Sequence, residues 1–109
     1  MDTIDFKQLL EDCIAIAKKE LGSAWKDAKP FAEHAFRQYA EDVAKLLQLR
    51  HQGDITEEAY QYYMQVQQLG LQNVLLAAKG VGILAAQNTI NAIMGLVTKV
   101  ASSALGLAL

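Results

Sequence analysis

The chain has 109 residues, enough for one domain with a modest core, and is 52% hydrophobic against 20% charged. All twelve acids and eight of the ten bases fall in residues 1–58, whereas residues 59–109 carry only Lys79 and Lys99. A net charge of −2 with no Lys/Arg cluster argues against nucleic acid as a partner, and the lone cysteine, Cys13, rules out an internal disulfide.

A polar surface cannot be built from two lysines. The C-terminal half must therefore face something other than bulk water over most of its area: the N-terminal half, copies of itself, another protein or a membrane. Ala-, Leu- and Gln-rich runs with a single proline favour helix throughout. The expected fold is all-α: one domain over 1–109, a helical bundle or hairpin of three to four helices with a long apolar C-terminal helical region. Residues 1–58 would supply charged amphipathic helices 1 and 2, and residues 59–109 the nearly charge-free helices 3 and 4.

Helix 1 is expected from about Thr3 to Leu21, capped by Thr3 or Asp2, with Asp5 in the first turn where a carboxylate suits the helix dipole. Phe6, Leu10, Cys13, Ala17 and Leu21 recur at spacings of three and four, flanked by Leu9, Ile14 and Ile16. Gly22 is a natural stop, and Cys13 on the stripe reads as a small buried hydrophobe. The acidic, amphipathic start lacks the basic end and unbroken apolar run of a cleavable signal. That points to a cytoplasmic protein, with signal-independent secretion or membrane association as alternatives.

Residues 23–29 read as a turn or helical fragment in which Trp25 anchors the connection, and Pro30 either opens helix 2 or kinks a longer one. Helix 2 runs to about His51 and turns Ala32, Phe36, Tyr39, Val43, Leu46 and Leu47 to one side. Gln52-Gly53-Asp54 is the clearest punctuation in the chain. Gly53 suits a left-handed helix end, and Asp54 with Glu57 forms a variant capping box for helix 3. So short a connection predicts an antiparallel hairpin turning at Gly53 and Asp54.

That hairpin carries a family resemblance. Leu46, Leu47, Leu49, Gly53, Ile55, Thr56, Glu57, Glu58 and Tyr60, within residues 45–63, resemble the SHOCT motif, a short helical hairpin found in many bacterial proteins. Ala59 stands where the family usually has another acid, and 46 residues follow position 63 where the motif usually closes a protein. The resemblance implies a structural or oligomerising module rather than an activity.

Two heptad runs follow. Ile55, Ala59, Tyr62, Val66, Leu69, Asn73 and Leu76 are spaced 4-3-4-3-4-3, the seam of a coiled coil or bundle. Asn73 on that seam can fix register at a cost in stability, and Gln61, Gln65, Gln67, Gln68 and Gln72 take the flanks where charges are usual. Gly80 and Gly82 mark a hinge or close packing, with Ala78, Gly82 and Ala86 as a small-residue row. Beyond them Ile83, Ala86, Ile90, Ile93, Val97, Val100, Ala104 and Leu107 form a second seam, with Gln87, Asn91, Gly95, Thr98 and Ser102 as a narrow polar stripe. Gly80 to Thr98 is nineteen residues without charge, near the minimum for a membrane span, but its Gln, Asn and Thr make a poor one.

Chemistry is sparse. Glu33, His34, Arg37, Glu41 and His51 are the only candidate acid–base or metal-binding set, and Glu33, Arg37 and Glu41 read as an exposed charge ladder. No metal-binding, phosphate-binding or nucleophile motif is present. No catalytic, cofactor or metal residue is therefore expected. The leading reading is a non-enzymatic helical module that oligomerises or binds a protein partner through its C-terminal helices. The alternative is a membrane-active protein, pore-forming or a translocated effector, that inserts helix 4 conditionally, and a third reading is a simple four-helix monomer with helix 4 at its centre.

Overall fold

A computed structural model describes residues 5–105, with side chains described to residue 103. The described residues are all-helical: α1 Phe6–Leu21, α2 Trp25–His51, α3 Glu57–Ala77 and α4 Ile83–Leu105. A single 3-10 turn, Gly22–Ala24, links α1 to α2. Each helix packs on the next, and α4 returns to pack on α1, so four short-linked antiparallel helices close into a bundle 41 × 23 × 23 Å across.

Local chemistry sets the helix ends. Asp5 is itself the N-cap of α1, its carboxylate accepting the Gln8 N–H at 3.1 Å, so it lies one position outside the first turn. The expected caps Thr3 and Asp2 lie outside the described residues. Pro30 neither opens α2 nor ends it. The helix begins at Trp25 and runs through, forgoing one backbone hydrogen bond where the proline lacks its N–H. Trp25 and Phe36 stack with ring centroids 6.4 Å apart, which pins the first turns of α2 to the core.

Gly53 takes φ +77 between α2 and α3, the left-handed conformation that its lack of a Cβ permits. The cap of α3 is Thr56 rather than Asp54: its hydroxyl accepts the Ala59 N–H at 3.0 Å while Glu57 and Glu58 open the helix. Across this turn the Arg50 guanidinium pairs with the Glu57 carboxylate and sits 4.9 Å from the Tyr60 ring centroid. One cation therefore ties the last turn of α2 to the first of α3 by charge and by its face.

Between α3 and α4 the chain reverses within residues 78–82, so the two form a hairpin rather than one bent rod. Gly80 has φ +84, and a Cβ there would stand 3.9 Å from Ala24 Cβ and Asp27 Oδ2, in ordinary contact; the backbone angle, not crowding, is what asks for glycine. Gly82 is exposed with nothing near its missing Cβ, so the small-residue row through it is not a close-packing surface.

One core runs the length of the bundle. Leu9, Cys13, Ala17 and Leu21 recur every four residues on α1, so Leu9 holds the central row and Phe6 and Leu10 flank it. Phe36, Tyr39, Val43 and Leu47 come from α2, Tyr60, Leu71 and Leu75 from α3, and Ala86, Ile90, Ile93 and Val97 from α4. Thr89 is buried among them and donates its hydroxyl to the Ala85 carbonyl at 2.8 Å, which satisfies that buried hydroxyl within its own helix.

Candidate interaction face

The two heptad seams point in opposite directions. On α4, Ala86, Ile90, Ile93 and Val97 are buried and Val100 is half-buried, so this row forms the wall that meets α1 and α3. Ile83 at its start is exposed, and Ala104 and Leu107 lie outside the described side chains. The polar stripe faces outward, with Gln87 donating to Asn91 at 3.0 Å. The central row of α4 is thus occupied within a single chain, while Ile83, Leu84 and Met94 remain exposed.

The row on α3 is open. Tyr62 is 63% exposed, Tyr63 48%, Val66 44%, Leu69 52% and Leu76 38%, and Asn73 among them is also exposed. Ile55 and Ala59 at its beginning are half-buried. The bundle instead takes a different stripe of the same helix, Tyr60, Met64, Leu71 and Leu75. Because α3 turns by about 100° per residue, rows set off by one or two positions face well apart, so one helix presents two apolar faces. Between Ala59 and Ala77 it carries no charged residue to interrupt either. Tyr62 and Tyr63 meet edge to face with centroids 5.7 Å apart, which makes an aromatic step on the outer face.

Beside this face lies a groove of about 770 Å³ between α3 and α4, with Tyr39 on its floor, Tyr60, Met64 and Gln68 on one wall and Met94, Val97 and Thr98 on the other. Arg50 and Glu57, paired with each other, stand at its α2 end. Farther along, Gln72 donates to Gln87 at 3.4 Å and bridges the two helices. The groove was not legible in the sequence, because three helices build it and its signature exists only once their register is set.

Among the described residues, the candidate acid–base set on α2 does not converge. His34, Arg37, Glu41 and His51 are exposed along α2, and the two histidines are about 25 Å apart at 1.5 Å per residue, too far to converge. Glu33 pairs at 3.8 Å with Lys29, one turn before it, rather than in the expected ladder with Arg37. Among the described residues no group of three or more His, Cys, Asp or Glu side chains could hold a metal ion. Burial pushes the Cys13 thiol up to about 12, with the Asp12 carboxylate adding to the shift, so the thiolate is scarce at neutral pH. Burial likewise raises Tyr39 and Tyr60 above the usual phenol range, and Arg50 partly opposes the shift at Tyr60. Among the described residues, no helix is long and apolar enough to cross a membrane.

The described residues therefore form a closed, antiparallel four-helix bundle with an uncovered apolar row on α3. Compared with protein-family models, with curated proteins and with solved structures, the chain matches none.

Proposed function

We propose that this protein is a non-enzymatic helical assembly module that associates through the outer face of α3. One observation carries the reading: Tyr62, Val66, Leu69 and Leu76 repeat at heptad spacing on a helix whose other face already completes the core, and they stand in solvent. Large apolar residues scattered singly are ordinary, but a continuous row at coiled-coil spacing is a contact surface awaiting a helix. The glutamines beside it supply donors and acceptors without the desolvation cost of charges.

The α4 row, which shares the same spacing, is not assigned to assembly because it is buried in the bundle. Conditional membrane insertion would require pulling that row out of the core, and no separate observation favours it. Light scattering on a sizing column tests the proposal. The wild-type chain should run at a discrete multiple of 12.0 kDa, and Leu69→Asp should run at 12.0 kDa with unchanged helical circular dichroism. A wild-type chain that stays at 12.0 kDa at high micromolar concentration would sink it.

A further inference from the structure

We infer that the occupant of the α3 face is α3 of a second copy of this chain, lying parallel and in register, so that the two Asn73 side chains face each other. The inference rests on the assembly reading above and adds partner, direction and register to it.

The spacing assigns every position. Steps of four and three make Ala59, Val66 and Asn73 the a positions and Tyr62, Leu69 and Leu76 the d positions of a heptad. A β-branched residue at a with leucine at d favours two parallel strands over three or four, and Val66 with Leu69 is that pair. The residues opposite the seam, at f, are Met64, Leu71 and Ala78, and these pack into the bundle. A partner on the a and d side therefore approaches from the solvent side and has no reason to disturb the fold behind α3.

Asn73 sets the direction. Its amide offers both a donor and an acceptor, so two copies placed face to face satisfy each other. An antiparallel pair can bring the two amides together only by centring on Asn73, which would leave Tyr62 and Val66 beyond the end of the partner's α3 at Ala77; any other antiparallel register separates the amides, and each loses water without gaining the other as a partner.

The electrostatics fit a copy of the same chain. Positions e and g from 63 to 77 hold Tyr63, Gly70, Ala77, Gln65 and Gln72, none of them charged, so two identical faces meet without like-charge repulsion. A charged partner would find nothing complementary there. The area is adequate as well. Taking the full surface of such side chains as on the order of 200 Å², the five exposed residues offer roughly 500 Å² per copy and about 1,000 Å² for the pair, the threshold for a biological interface and the size of a weak, reversible one. Because α3 is already helical in the single chain, pairing does not also have to nucleate it.

Cysteine pairing in the full-length chain separates the outcomes. Cys13 stays in place, buried and unreactive. In the parallel arrangement Tyr62→Cys and Leu76→Cys should each form a covalent dimer alone under mild oxidation, and mixing them should give no added cross-linked product. If only the mixture cross-links, the pair is antiparallel: the register proposal fails and assembly through α3 stands. If neither cross-links while light scattering still gives twice 12.0 kDa, another face carries the contact and the inference is overturned. A wild-type mass of 12.0 kDa overturns both this inference and the reading beneath it. As an independent check, Asn73→Leu should turn one two-chain species into a mixture of two-chain and larger ones, and an unchanged single species would count against a register role for Asn73.

Discussion

α3 and α4 both repeat apolar residues every three and four positions, yet α4 turns its row inward and α3 turns its row outward. The cause is what else each helix carries. On α4 the row Ala86, Ile90, Ile93 and Val97 stands opposite Gln87, Asn91 and Thr98, so the helix lies with that row inward and leaves Ile83, Leu84 and Met94 as its exposed large apolar residues. α3 has a second row, Tyr60, Met64, Leu71 and Leu75, and the bundle takes that one. Heptad spacing therefore reports a helix face suited to another helix, and it does not say whether that helix belongs to the same chain.

The comparison is tested most severely by trimming one residue from each row. Ile90→Ala on α4 opens a cavity in the core and should cost about 2–5 kcal/mol of unfolding free energy in denaturant titrations. Leu69→Ala on α3 should leave the stability of the single chain within about 0.5 kcal/mol and weaken association instead. Equal losses from the two would erase the distinction.

The same contrast holds between adjacent residues of α3. Leu75 is fully buried and Leu76 is not, so Leu75→Ala should lower the urea midpoint by an amount corresponding to about 2–4 kcal/mol. Leu76→Ala should shift the concentration dependence of the melt and little else. If Leu76→Ala destabilises the dilute monomer as much as its neighbour does, then the outer face is not a free surface.

A smaller effect concerns the entry to α3. Thr56→Ala removes the hydroxyl that holds the Ala59 N–H and should cost about 1 kcal/mol, whereas Asp54→Ala should be nearly silent. Reversed magnitudes in thermal melts would restore Asp54 as the cap.

The all-α class, a break close to Gly80 and the inward side of α2 with Phe36, Tyr39 and Val43 were legible, because periodicity and glycine act over a few residues, whereas the choice between three helices and four was left open. The caps of α1 and α3 were each misplaced by two or three residues, since neighbouring Asp and Thr side chains compete for one N–H and backbone angles decide between them. The α3 seam was readable as a row, but its exposure was not. Exposure depends on how the connections at 52–56 and 78–82 rotate α3 against α2 and α4, and no local pattern records that rotation. The pairing of Arg50 with Glu57 and Tyr60 was hidden for the same reason.

The contact between α4 and α1 has a kinetic consequence. Adjacent helices along the chain find each other across connections of only a few residues, which costs little chain entropy. Joining α4 to α1 instead closes a loop of about sixty residues, so that seam should form after the α1–α2 and α2–α3 hairpins and should govern the refolding rate. Until it closes, the row Leu9, Cys13, Ala17 and Leu21 is covered by α2 alone, and the nascent three-helix chain exposes it to whatever apolar surface arrives first.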